Sequence, residues 1–239
     1  MIIINHVLRF LSNRLYIFTL IIVGVISSYY RRKFIYKSIS NKYDLLFKSS
    51  LITEYWIKKE RLERHEYKNQ LALLYSISNE KIIKNKINEI INEDNYLNQS
   101  LIYELMNIPY GGLLGLFYDK TIMAREDKIN VSININTKSN GILSKIDNKK
   151  IKNLIIVIDY FYEKAIYVTK QGRKKKLIIE MYEVNNKVCC IISSTYRNNI
   201  FSIEKNDNFI NRLLNGNHWI NIKEELIEKY YVTTITIRQ

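Results

Sequence analysis

The 239-residue sequence is poor in the residues that cross-link or interrupt a chain, with two cysteines, one proline, seven glycines and three histidines. Cys189 and Cys190 are adjacent within the apolar run Val188 to Ile192. Neighbours on a strand point to opposite faces, which places them poorly for bridging each other. A disulfide framework is excluded, and buried, inert thiols in a reducing compartment are expected. No cluster has metal-ligand spacing. His65-Glu66-x-x-Asn69 follows a zinc-protease pattern up to its last position, where asparagine replaces the second imidazole. No metal site is expected.

The net charge of +14 points towards nucleic acid or an anionic membrane surface. The lysines are dispersed among Glu and Asp, however, and no nucleic-acid motif is present, so no nucleic-acid partner is expected. Richness in Ile, Asn, Lys and Tyr is a bias typical of AT-rich coding, which discounts part of the lysine excess.

Leu15 to Tyr30 carries no charged residue. As a helix rising ~1.5 Å per residue it spans roughly 24 Å, slightly short of a ~30 Å hydrocarbon core. Extension through Ser12 and Asn13 and snorkelling of Arg14 make up the difference. Tyr16, Tyr29 and Tyr30 lie where interfacial aromatics are favoured, and Arg31-Arg32-Lys33 with Lys37 outweigh Arg9 and Arg14. The expectation is a single-pass cell-membrane anchor over 1–33, with the C-terminal bulk cytoplasmic. A cleaved signal peptide lacks its small-residue cleavage site here. A buried core helix is the other reading of the same run.

From Arg31 to about Ile77 there is neither glycine nor proline, which predicts one long helix or two abutting ones. Ser78 can cap a second helix starting near Asn79-Glu80. Ile83, Ile87, Ile90, Leu97 and Leu101 then alternate at spacings expected of a helix packed along another, with Asp94 interrupting the seam. Such a hairpin is too thin to bury its own stripe, and pairing with a second copy as a four-helix bundle is the economical solution. A coiled stalk without chemistry is the plainer reading.

Within the first helix, Arg64-His65-Glu66-Tyr67-Lys68-Asn69 sets an imidazole beside a carboxylate, with an amide one turn later on the same face. A solvent-facing imidazole of this kind can act as a nucleophile towards phosphorus. Glu66 is the candidate base and Asn69 the candidate orienting group; otherwise all three are ordinary helix-surface residues.

Ile108-Pro109-Tyr110-Gly111-Gly112 ends the helical run with the sole proline. Beyond it the pattern predicts a helix from Leu113 to about Glu126 and a strand at Ile129 to Asn136. A helix from Lys149 to about Lys170 follows, then strands at Leu177 to Glu183 and Lys187 to Ser193 around a hairpin turn. A short helix at Ile222 to Tyr230 and a closing strand at Tyr231 to Ile237 complete the reading. The fold class is α+β, with helices on one face of a mixed sheet. Arg173-Lys174-Lys175-Lys176 is a basic run that reads as a solvated turn.

This ordered set resembles a sensor histidine kinase of the accessory gene regulator (quorum-sensing) type, with a SpoB-like dimerisation hairpin and a NatK-like GHKL ATPase domain. Arg64 to Asn69 resembles the phosphoacceptor box. Pro109 to Leu116 with Lys120 and Ala124 resembles the entry to the catalytic domain, and Ser193-Ser194-Thr195-Tyr196 the segment after its central hairpin. The resemblance covers roughly Arg31 to Gln239; after the anchor read from hydropathy over 1–33, it implies a phosphoacceptor hairpin over 34–107 and a GHKL ATPase-like domain over 108–239. It also implies a response regulator as partner, a homodimer or a heterodimer with an intact kinase, and ATP with magnesium as cofactor.

The family's Asp-Asn-Ala-Ile-Glu-Ala helix corresponds here to Glu163-Lys164-Ala165-Ile166-Tyr167-Val168. An ammonium has no lone pair with which to ligate magnesium as the asparagine oxygen does. The Gly-rich phosphate loop should fall between Arg197 and Ile222, where Gly216 is the single glycine. Side chains then stand where backbone amides must approach phosphate closely. Two losses at one site imply a pseudokinase or phosphorelay partner. An active kinase with an atypical nucleotide site and a non-enzymatic membrane-tethered scaffold are the rival expectations.

Overall fold

The structure is a computed structural model, and it describes residues 2–78, 80–93, 99–109, 111–138, 141–172, 174–196 and 208–238. The chain divides into two compact units, Met1–Leu46 and Phe47–Gln239. A helix α1 occupies Ile2–Ile77 without interruption, so of the one long helix or two abutting ones expected from Arg31 onward the first is formed.

In the first unit, Phe18, Leu20, Ile21, Val23, Val25 and Ile26 are exposed. The expectation of a transmembrane helix is corrected here: among the described residues, no helix is long and apolar enough to cross a membrane. The physical reason lies in the run itself. Its charge-free stretch is short of the ~20 residues a span needs. It is diluted by Thr19, Gly24, Ser27 and Ser28 and closed by Arg14 on one side and Arg31-Arg32-Lys33 on the other.

In the second unit, the Ser78 hydroxyl accepts from the Glu80 amide, and α2 (Lys81–Glu93) begins directly after it. Asn79, near which the second helix is expected to start, lies outside the described residues. Ile87 is buried while Ile83 is exposed. The remainder of the expected seam at Asp94 and Leu97, and the side chain of Ile90, lie outside the described residues. A short α3 (Gln99–Glu104) follows, with Leu101 and Leu105 fully buried.

The α/β part is close to the sequence expectation. Helix α4 (Leu113–Glu126) leads into strand β1 (Asn130–Asn136), and α5 (Asn148–Lys170) starts where Asp147 accepts from the Lys150 amide. Strands β2 (Lys176–Val184) and β3 (Lys187–Thr195) form a hairpin whose turn residues, Asn185 and Asn186, both have positive φ. That is the backbone of a type I′ turn, whose twist suits an antiparallel pair. A helix α6 (Asn208–Asn215) and the antiparallel strands β4 (Ile220–Ile227) and β5 (Tyr230–Arg238) complete the chain.

The expected helix at Ile222 to Tyr230 is therefore a strand. Lys223-Glu224-Glu225-Leu226 favours a helix locally, but the tight Glu228-Lys229 turn sets β4 against β5 and supplies the ladder. The charges suit β4, because charged side chains on an edge strand discourage further pairing.

The sheet order is β1-β2-β3-β5-β4, with β1 and β2 parallel and the remaining pairs antiparallel. Helix α5 packs on β2, β3 and β5, and α4 packs on α5 and β1. The core between them holds Leu177, Ile179, Met181, Val188, Cys190 and Ile235, all at most 1% exposed, against Leu154, Ile155, Ile158 and Tyr162. Cys190 is a free thiol whose pKa burial pushes up to about 12, whereas Cys189 on the opposite face is half-buried and also free. Alternation along β3 separates them, as expected for neighbours on a strand.

Candidate functional site

His65 is exposed on α1, and its Nδ1 lies 3.1 Å from the Asn69 amide nitrogen. The i,i+4 spacing of a helix brings these two side chains together. Glu66, one position on and about 100° further round the helix, is exposed. A cleft of about 380 Å³ opens beside His65, lined on α1 by Lys58, Glu60, Arg61, Leu62, Arg64 and Lys68. Its other wall is Ile102 and Tyr103 of α3. Glu60 is the single acid in this lining, and it pairs with Arg64. Among the described residues, neither Arg61 nor Lys68 has an ion-pair partner.

The second locus joins α4 and α5. Lys120 is buried, ion-paired with Asp159 at 2.6 Å and donating to Glu163 at 2.8 Å, two carboxylates one turn apart on α5. Burial, the largest influence, pulls the ammonium down, but the two carboxylates together outweigh it and hold Lys120 above its ordinary value. Glu163 is thus a strut between two helices. The next residue, Lys164, points elsewhere: its ammonium donates to Glu224 of β4 at 2.8 Å, and its side chain is only 11% exposed. Nζ also sits 5.3 Å from the centre of the Tyr231 ring and 5.8 Å from that of Phe161. The Tyr231 hydroxyl donates to the same carboxylate.

The group expected at this position is magnesium bridging a nucleotide, and these residues do not fit it. Lys164 offers only donors, and they are turned to Glu224 and two aromatic faces. Among the described residues no group of three or more His, Cys, Asp or Glu side chains could hold a metal ion. Residues 197–207 of the expected phosphate loop, with Arg173 of the basic run, lie outside the described residues. The described remainder of that interval is α6, Gly216, Asn217 to Trp219 and the start of β4. Asn217 accepts there from both Asn153 of α5 and the Trp219 indole.

The glycine-rich segment after Pro109 has a role the sequence did not disclose. Gly111 and Gly112 have positive φ (120° and 94°), and their amides donate to the two oxygens of Glu54 on α1, at 2.7 and 2.8 Å. Helix α4 has no side-chain cap of its own, so a carboxylate from another helix fills that place. Burial pushes the Glu54 carboxyl up from its ordinary range despite these bonds. One turn along, a Cβ on Gly115 would fall 1.9 Å from the Ser50 carbonyl oxygen, so only glycine permits this approach of α1 to α4. Thr53 completes the seam by donating to Asp119, whose carboxyl burial also raises.

His65 and Asn69 are thus brought together as expected, and Glu163 and Lys164 are neighbours in sequence committed to different partners. No described contact joins the two groups. Sequence reasoning missed Ser50, Thr53, Glu54, Asp119, Asp159 and Glu224. Only the three glycines of Gly111-Gly112-Leu113-Leu114-Gly115 signalled, in an otherwise glycine-poor chain, that another backbone comes close.

No family model matches the chain, and no curated protein matches it. Among solved structures it is similar to the catalytic domain of histidine kinase ThkA, at 16% identity and TM-score 0.37, covering 52% of this chain and 88% of that one. It is also similar to Acinetobacter baumannii histidine kinase AdeS, at 11% identity and TM-score 0.37, covering 74% and 94%. A third likeness is to the Erythrobacter litoralis blue-light activated histidine kinase EL346, at 12% identity and TM-score 0.38, covering 76% and 59%. Likenesses at these scores establish neither family nor activity for this chain.

Proposed function

We propose that this chain is a two-component sensor-kinase homologue that accepts or relays a phosphoryl group at His65 and is impaired in using ATP. The observation that carries the reading is the contrast between the two loci. His65 presents an accessible imidazole with Asn69 on Nδ1, while Lys164 is tied to Glu224 where a magnesium-holding amide is needed. Phosphoryl transfer from a nucleotide requires a nucleophile, charge neutralisation and an in-line donor, and the residues here favour only the first. The chain then works as a pseudokinase, with a response regulator as phosphoryl partner. It acts as a homodimer or as a heterodimer with an intact kinase. Exposed Trp56, Leu73, Leu74 and Ile77 on α1 and Ile82 on α2 support pairing between helical arms.

Incubating the purified full chain with labelled ATP and magnesium is expected to leave His65 unlabelled. Robust label there would overturn the pseudokinase reading. Receiver domains of the source organism's response regulators, each charged at its aspartate, are expected to pass label to the wild type and not to His65→Gln. Absence of transfer from every one would overturn the relay.

A further inference from the structure

We infer that the cleft beside His65 is a binding site for an acyl phosphate, whose phosphoryl group it presents to the imidazole. This inference rests on the phosphoacceptor reading of His65 and names the donor class and the residues that hold it. Lys58, Arg61, His65 and Lys68 follow one another at intervals of three, four and three, which sets them on a single face of α1. All four line the cleft, as does Arg64. Its volume of about 380 Å³ is at the small end of the ~300–1,000 Å³ usual for ligand sites, which suits a compact donor better than a nucleotide.

The charge balance selects the ligand. Four cations and one carboxylate line the cleft, and that carboxylate is spent on Arg64. A dianionic phosphoryl group meets the guanidinium of Arg61 and the ammonium of Lys68 without competition from an internal ion pair. The Arg61 fork can hold two of its oxygens at once. Ile102 and Tyr103 give the remainder of the donor an apolar wall.

An acyl phosphate is the donor class that needs least from the protein. Its leaving group is a carboxylate, stable without protonation, and the cations neutralise charge on the transferring oxygens. The Nε2 lone pair of His65 attacks phosphorus, the N–P bond forms, and the P–O bond to the acyl oxygen breaks. The carboxylate departs with the bonding electrons, and the Nδ1 proton passes to water. Asn69 Nδ2 lies 3.1 Å from Nδ1, placed to donate to that nitrogen once it is bare; a turn of the amide presents Oδ1 to the Nδ1–H tautomer whose Nε2 is free to attack. A small acyl phosphate free in solution and a phosphorylated receiver aspartate both present this same mixed anhydride.

The test uses the full chain, with acetyl phosphate in one arm and aspartyl-phosphorylated receiver domains in the other, and follows acid-labile phosphohistidine by intact mass. Transfer is expected to saturate with donor, to vanish in His65→Gln, and to fall with ionic strength. Arg61→Ala, at an exposed position, and Lys68→Ala, at a half-buried one, are each expected to raise the half-saturating donor concentration about tenfold, with unchanged circular dichroism and Tm. The arm in which these variants weaken transfer identifies the source of the donor. Transfer in either arm that is indifferent to Arg61 and Lys68 in both overturns the pocket and leaves the phosphoacceptor reading intact. No transfer in either arm overturns both.

Discussion

Replacing Glu54 by alanine tests whether a carboxylate from α1 is the true cap of α4. The substitution removes both acceptors from the Gly111 and Gly112 amides, now met at 2.7 and 2.8 Å. Gly112 is buried, so its orphaned N–H costs about 1–3 kcal/mol. Gly111 is half-buried and can bind water instead, which limits its share to about 0.5 kcal/mol. Relief of the unfavourable burial that raises the Glu54 carboxyl offsets part of this loss. The net destabilisation is about 2 kcal/mol, or roughly 4–8 °C in Tm for a unit of this size. Thermal unfolding followed by circular dichroism, with hydrogen exchange at the start of α4, measures it. The expected result is a lower Tm and faster exchange of the Gly112 and Leu113 amides, with Glu54→Gln intermediate. An unchanged Tm with undisturbed exchange would refute the capping role.

Three further outcomes follow from the same contacts. Lys120→Ala strands Asp159, only 3% exposed, as an uncompensated buried charge and should cost about 3–5 kcal/mol. The double variant Lys120→Met/Asp159→Leu should recover most of that in urea unfolding. Gly115→Val drives a side chain into the Ser50 carbonyl and should separate α1 from α4 at a cost of about 1–3 kcal/mol, read as loss of protection across Ser50 to Glu54. The pH dependence has a worked sign. Burial raises the Glu54 and Asp119 carboxyls, so the folded chain holds those protons more tightly than the unfolded one. Their contribution is complete below the ordinary values and is lost as pH rises through the raised ones. The wild type should therefore lose stability relative to Glu54→Gln/Asp119→Asn as pH climbs above 4.5. The raised Lys120 contribution is complete below 10.5 and is lost only as pH rises through its higher folded value.

Much of the chain was legible because its signals are periodic and local. The helix over Leu113 to Glu126, the turn at Asn185-Asn186 and the opposed faces of Cys189 and Cys190 all follow from side-chain spacing or turn chemistry. So does the meeting of His65 and Asn69, since one helical turn separates them. The Ile222 to Tyr230 segment misled for an equally physical reason: its composition favours a helix, and its pairing partner is supplied by the strand beyond the turn.

By itself, then, the sequence determined the helical stretch from Arg31 to about Ile77, the α+β alternation and the residue pair that makes His65 a candidate, because each depends on neighbours within a turn or two. Tertiary structure alone decided that Glu54 caps a helix whose N-cap residue, Gly112, lies 58 positions later, that Lys120 bridges two carboxylates on α5, and that Lys164 is turned to Glu224. It also decided that the basic stripe of α1 has a facing wall at Ile102 and Tyr103. Those pairings join residues far apart along the chain, and no local period encodes which distant backbone or charge a side chain will meet once the core has closed.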